Sequence, residues 1–268
     1  MKKNWLVNLA IGFLVFMVLF ALFGPMIKHD PLKPVGDLSL GPSAQFWFGT
    51  DEQGRDVFAR VAFGARMSLI VGLTVLTLSL LIGVFVGVCG VFAPKWIREP
   101  LMRFTDGMFA FPDILLAILI MGLWKAGLIP VIVALAITAW PSMARLIKTQ
   151  VTTLKEREFV TASIALGMPT WRVILRHILP HLISTVIAVS MIELSGAILA
   201  ESALSFLGIG VQPPTPSWGT MIKDSREQLE SNPMLILWPC LALSLTILSL
   251  NIIGDYLRDR FDPKRAST

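Results

Sequence analysis

Six stretches of this chain are long and apolar enough to cross a hydrocarbon core, and they leave little sequence for anything else. They run over about 5–24, 67–92, 104–124, 127–147, 182–209 and 233–254. A spanning helix needs about 20 predominantly apolar residues, and in lipid each backbone polar group must find its partner within the element. The expected fold class is therefore all-α, a polytopic membrane protein with six transmembrane helices. The third run is the weakest, holding Asp106, Pro112 and Asp113, and the fifth is interrupted by Glu193 and Glu201. Composition agrees: 54% of the residues are hydrophobic and 15% charged, against roughly 45–50% and about 25% in soluble domains.

Lys and Arg in the short loops set the orientation. With the N-terminus inside, 15 of the 23 basic residues fall on the cytoplasmic side and 8 on the outer side. Both termini are then cytoplasmic. The first run follows Met1-Lys2-Lys3 and imitates a secretory signal, but it is too long for a usual apolar core and no small-residue cleavage site follows, so it reads as an uncleaved span. Residues 1–66 form the first span with a Pro-, Gly- and aromatic-rich outer loop. Residues 67–268 form a five-helix core with a cytoplasmic loop at about 148–180 and a cytoplasmic tail. A second outer segment, 210–232, opens with Pro213, Pro214 and Pro216, which end the fifth span. A short amphipathic helix from Trp218 to Leu229 is expected there.

Enzyme chemistry finds no footing. The chain has no P-loop, no H-E-x-x-H and no G-x-S-x-G. His177 and His181 are four apart with Pro180 between them and no third ligand nearby, so docking or headgroup-level roles suit them better than a metal. Cys89 and Cys240 sit inside apolar runs and read as small core residues. No catalytic, metal or cofactor site is expected in this chain.

Acids within the spans are the next candidates. A charge near the bilayer centre costs roughly 2.5–3.5 kcal/mol, and such residues usually face a bundle interior or a water-filled path. Glu193, Glu201 and Asp113 are candidates for lining a substrate path. Two of them have local alternatives: Glu201 can bond Ser202 and Ser205, and Asp113, after Pro112, can cap a helix start. Gly83, Gly87 and Gly90, at spacings of four and three, make a face on which another helix backbone can approach closely.

The run Glu156 to Pro180 is polar enough to lie in water between two spans. It reads as a helical hairpin: a small-residue helix with Thr161, Ala162, Ser163 and Ala165, a turn at Gly167-Met168-Pro169, and a basic amphipathic helix ending at Pro180. Trp171, Ile174, Leu175 and Ile178 form its apolar stripe, flanked by Arg172 and Arg176. An interfacial helix held by anionic lipid would use the second helix alone. A helix-in-groove contact with a cytoplasmic protein uses both helices and the turn.

This pattern resembles the inner-membrane permeases of ABC importers, specifically the C-type permease of the dipeptide/oligopeptide/nickel family. The family's cytoplasmic signature is E-A-A, three residues, Gly, nine residues, I-x-L-P. Matching it here are Thr161-Ala162-Ser163, Gly167 and His177-Ile178-Leu179-Pro180. Thr161 replaces the general Glu and His177 the general Ile, both typical of the family's peptide branch, and Ser163 departs from the Ala but stays small. Further blocks are similar: Trp47 to Asp56, Ala203 to Gly208 with Pro213 to Gly219, and Asn251 to Pro263. The resemblance implies a type I importer fold and a non-catalytic membrane subunit that pairs with a homologous B-type permease. Two cytoplasmic ABC ATPase subunits, which carry the ATP and Mg, would receive the hairpins, and an extracytoplasmic solute-binding protein would deliver the substrate. Membrane lipid surrounds the assembly, and no nucleic acid is implied. The coupling residues would be Glu158, Thr161, Ala162, Ser163, Gly167, Met168, Arg172, Arg176, His177 and Pro180. Substrates in this family include dipeptides, longer peptides, glutathione-like peptides, nickel and metal–chelator complexes; peptide transport is the reading taken here. A self-sufficient secondary transporter would favour inverted repeats and broken spans, and an intramembrane enzyme would need a nucleophile–base or metal set.

Overall fold

The computed structural model describes residues 4–230 and 232–261. The expectations that rest on Lys2, Lys3, Lys264, Arg265 and Pro263 lie outside the described residues. Among the described residues there is no β-strand, and the chain is a bundle of long helices: α1 (Asn4–Ile27), α2 (Val57–Phe92), α3 (Lys95–Met108), α4 (Asp113–Gly122), α5 (Leu128–Lys155), α6 (Glu158–Ala165), α7 (Thr170–Val173), α8 (Leu179–Phe206), α9 (Trp218–Ser225) and α10 (Met234–Phe261). Between α7 and α8 the helix continues as a π turn, Ile174–Ile178. One end of the bundle carries the segments 28–56 and 207–230; the other carries α6 and α7. We call them the loop end and the hairpin end.

Among the described residues five helices are long and apolar enough to span a membrane, and a sixth span arises only if the bent pair α3–α4 is counted as one. The third run, expected as a continuous span over 104–124, is thus broken, with a bend of 92°. Pro112, which has no N–H to extend the preceding helix, holds the N-cap position of α4. The elbow is held by Arg145 of α5, whose Nη2 donates to Asp106 Oδ1 at 2.8 Å and whose guanidinium lies 3.7 Å from the Phe109 ring centroid.

The central pole is α2. It begins ten residues before the apolar run, because Asp56 caps it: Oδ1 accepts from the N–H of Phe58 at 2.9 Å and of Ala59 at 3.5 Å. Arg60 and Arg66, expected in the outer loop, are therefore helical, and the expected division at 66/67 falls inside this helix. At about 1.5 Å per residue, 36 residues exceed the ~30 Å core. The surplus lies at the loop end, where Val57 to Ala62 are all buried.

Among the described residues four apolar clusters surround this pole, the smallest being Val86 of α2 with Trp140 and Ala144 of α5. At the loop end, Met17 and Ala21 of α1 pack with Val61 of α2, Ile198 of α8 and Leu243 of α10. In the middle, α2 and α8 pack on α4 and α5 through Val71, Ala117, Val131 and Leu204. At the hairpin end, Ile147 and Val151 of α5 meet α2, α6, α7 and α8.

The expected glycine face packs within the chain. A Cβ at Gly83 would lie 2.7 Å from the Met143 side chain, and one at Gly87 would lie 2.7 Å from Ile147 and 2.8 Å from the Ala144 carbonyl. Gly90 receives Met102 of α3. Small residues allow this approach, in which dispersion contacts replace the missing hydrophobic drive between helices in lipid. Gly87→Leu is expected to lower stability by about 1–3 kcal/mol through overpacking, seen as a lower thermal midpoint in mild detergent. Gly12→Leu, where no atom lies within 4 Å, should leave the midpoint unchanged.

Candidate functional site

The hairpin is built by a helix stop that only glycine makes easy. Gly167 has φ +82°. Its N–H donates to the Ile164 carbonyl at 2.9 Å, and that of Met168 to the Ser163 carbonyl at 3.1 Å. This crossed pair is a Schellman cap. Pro169 follows as the N-cap of α7. Glu158 stands in the first turn of α6, where a negative charge suits the helix dipole. The hydroxyls of Thr161 and Ser163 bond back to the carbonyls of Arg157 (3.3 Å) and Phe159 (2.7 Å). Together with Ala162 they leave α6 slim and without a free hydroxyl donor.

The second arm does not end at Pro180, as expected, but runs unbroken from Thr170 to Phe206. The π turn is the reason: Leu179 N–H reaches the carbonyl of Ile174, five residues back, and this widened turn accommodates Pro180, which has no N–H. The same turn splits the expected stripe. A turn of five residues rotates the rest of the helix by about one position, so Ile178 is fully buried while Trp171 and Leu175 stay more than half exposed. Val160, Val173 and Ile178 anchor the hairpin in the cluster with Ile147 and Val151. Each buried aliphatic side chain contributes about 1.5–3 kcal/mol, so the hairpin is fixed to the ends of α5 and α8. His181 stacks on Phe159 at 5.0 Å and bonds the His177 carbonyl at 2.6 Å, tying one arm to the other. His177 is half-buried beside the same ring.

What remains outward is an apolar tip with a basic flank. Leu166 is 88% exposed, next to Trp171, Leu175 and the exposed Arg172 and Arg176. Leu166 was missed from sequence; an apolar residue just before a left-handed glycine at a hairpin tip was the available signal.

The three intramembrane acids separate. Glu193 and Asp113 line one cavity of about 210 Å³ between α2, α4, α5 and α8, together with Ser79, Thr138 and Ser142. Asp113 is the first residue of α4 and makes no capping hydrogen bond; Pro112 holds the cap position. Thr138 and Ser142 were also missed, although their i,i+4 spacing on α5 was readable. Glu201 lies outside this lining, with no exposed surface. It accepts from Ser205 Oγ at 2.7 Å, Ser68 Oγ at 3.1 Å and Ser202 Oγ at 3.4 Å. Ser205 Oγ in turn accepts from Val211 N–H at 3.1 Å. Glu201 thus organises the exit of α8.

At the loop end, the expected surface helix is α9, prolonged by a single 3-10 turn, Arg226–Gln228. Its first residue, Trp218, is fully buried, with Nε1 donating to Val61 O at 3.1 Å and the ring against Gly64. Ser217 and Thr220 form a capping box. Asp51 pairs with Arg55 (2.7 Å) and Arg60 (3.2 Å), and these residues with Glu52, Asp224 and Glu227 border an open crevice. Partial burial, then the carboxylates of Glu227, Asp224 and Asp51, raise the Glu52 carboxyl above its ordinary value. The described residues hold no cluster of three metal-ligating side chains.

Residues 79–267 match the family described as binding-protein-dependent transport system inner membrane component. The chain is 40% identical over its whole length to 88% of a dipeptide transport system permease protein of Alkalihalophilus pseudofirmus. It is also 40% identical, over 95% of its length, to 88% of a di/tripeptide transport system permease protein of Pseudomonas aeruginosa. A glutathione transport system permease protein of Escherichia coli is 37% identical over 98% of this chain and 88% of its own. Among solved structures, a chain of the MetNI methionine ABC transporter in an inward-facing conformation superposes with TM-score 0.63 at 16% identity, covering 75% of this chain and 96% of that one. That likeness carries the fold, a type I importer permease fold.

Glu201→Ala is expected to leave the Ser68 and Ser205 hydroxyls without their acceptor, at about 1–3 kcal/mol per buried group. The expected result is a lower thermal midpoint and faster proteolysis of the 207–216 segment.

Proposed function

The chain belongs to the family of binding-protein-dependent transport system inner membrane components, and we propose that it forms, with a homologous B-type permease, the path by which an ATP-driven importer takes up di- or oligopeptides. The observation that carries this reading is the hairpin: a Schellman-turned pair of helices, anchored by Val160, Val173 and Ile178 to two spans, with an apolar and basic tip left outside. A tip of that chemistry suits a groove on a cytoplasmic ATPase. Because the second arm is continuous with α8, displacement of the tip is transmitted to the helix that carries Glu193. ATP binding and hydrolysis belong to the partners in this reading, and this chain supplies no catalytic group.

In this reading the hairpin end lies in the cytoplasm and the loop end outside, an orientation supported by the excess of Lys and Arg. At the loop end the crevice of mixed charge, lined by Asp51, Glu52, Asp224 and Glu227 with Arg55, Arg60 and Lys223, faces the solute-binding protein. Glu193 and Asp113 line the path, where carboxylates can meet the ammonium group of a peptide. The names of the similar permeases favour peptides over nickel.

A mild-detergent pull-down from native membranes tests the assembly: a second six-span permease and P-loop ATPases should co-purify, and recovery of the chain alone would overturn the reading. Gly167→Val puts a β-branched residue at positive φ, a rare and strained conformation. Uptake in proteoliposomes should fall severalfold or more while membrane insertion is retained, and unchanged uptake would remove the hairpin from coupling. Glu193→Gln should reduce uptake with the complex intact; loss of the partner permease instead would place Glu193 at the subunit interface.

A further inference from the structure

A second crevice opens at the hairpin end, beside the first arm of the hairpin, whose Thr161 lines it. It has a volume of about 650 Å³ and lies between the last turn of α2, the first turns of α3, and the facing parts of α5 and α6. Its floor is Gly90 with Met102 set against it. Arg98 stands one turn before Met102 on the same face of α3, and Lys148 and Lys155 come from α5. Arg98 and Lys148 are both half-buried, and neither side chain has an ion-pair or hydrogen-bond partner among the described residues. Two carboxylates also line the crevice. Glu99 is drawn off by Lys95 at 3.6 Å, leaving Glu156 against three cations, of which Lys155 lies over the Phe92 ring.

The depth of the crevice follows from α3. This helix is amphipathic, and its opposite face carries Trp96, 76% exposed, and Phe104, 61% exposed. Exposed aromatics on such a helix settle at the headgroup level. Two unneutralised cations in a concave site at that level, walled by spans, match the phosphate of an anionic lipid. We propose that Arg98 and Lys148 hold the phosphate of one anionic phospholipid between α2, α3 and α5. The acyl chains would run down the outside of α2 and α3. The inference needs the chain to be embedded in a bilayer, and it stands apart from the peptide-import reading.

The test uses the full chain with its co-purifying partners in nanodiscs of phosphatidylcholine with a minor fraction of phosphatidylglycerol, read by native mass spectrometry after release. The expected result is a retained phosphatidylglycerol whose occupancy falls by about tenfold or more in Arg98→Gln/Lys148→Gln, but not in Arg103→Gln/Arg258→Gln, whose side chains are exposed and outside the crevice. Retention in Arg98→Lys/Lys148→Arg is also expected, since that variant keeps both charges. Equal loss in both Gln pairs would reduce the effect to diffuse surface charge, and unchanged occupancy in Arg98→Gln/Lys148→Gln would remove the crevice as the site. Displacement of the lipid by inorganic phosphate would make it a free-anion site. Loss of a co-purifying protein with lipid occupancy unchanged would make it a protein contact. Each of these four results overturns the proposal.

Discussion

The close approach of α2 and α5 governs the bundle. Where two helices meet in lipid, there is no water to expel, so contact area must come from backbones that can touch. Gly83 and Gly87 provide it: Met143, Ala144 and Ile147 of α5 occupy the space that their side chains would fill. With α5 fixed on this face of α2, α4 and α8 close the middle cluster. The far face of α2 is left for α1 and α10. Arg145, carried on the same α5, then reaches Asp106 and Phe109 and sets the elbow between α3 and α4.

The two ends of the bundle are built by different means. The loop end is stiffened by buried polar groups: Asp56 capping α2, Asp51 between Arg55 and Arg60, Glu201 within its serines, and the Ser217–Thr220 box beneath Trp218. Each of these groups has a partner, as burial requires. The hairpin end is held by aliphatic burial, with one stacked His–Phe pair. It keeps its outer surface apolar and basic. One end is thus held by polar pairs and the other by aliphatic packing, with its second arm continuous with a long helix.

The carboxylates show how little residue type alone decides. Glu193 and Glu201 are the same residue on the same helix, a little over two turns apart along α8. Glu193 meets a cavity shared with Asp113, while Glu201 meets Ser68 of α2 and its own neighbours Ser202 and Ser205. The nearby serines were legible; Ser68, contributed by another helix, was not. The same holds for the hairpin: its small residues, glycine turn and basic flank were legible, but the burial of Ile178 was not. A π turn over Ile174–Ile178, induced by a downstream proline, rotated the face beyond what a 3.6-residue period foretells.

The sequence by itself determined that this chain is an α-helical membrane bundle, which stretches are apolar enough to cross a membrane, that a turn stands at Gly167, and, through its resemblance, the family. These follow from local rules: the length of apolar runs, the missing N–H of proline, and the left-handed freedom of one glycine. Only the tertiary structure decided that α2 starts at Val57 rather than ten residues later, that the third span is an elbow, that the glycine face serves α5, and which acids share a cavity. Those outcomes depend on contacts between residues far apart in the chain, such as His29 with Asp56 and Arg145 with Asp106. The apolar periodicity of a lipid-facing helix carries no record of such partners, because lipid and a neighbouring helix are nearly the same solvent to it.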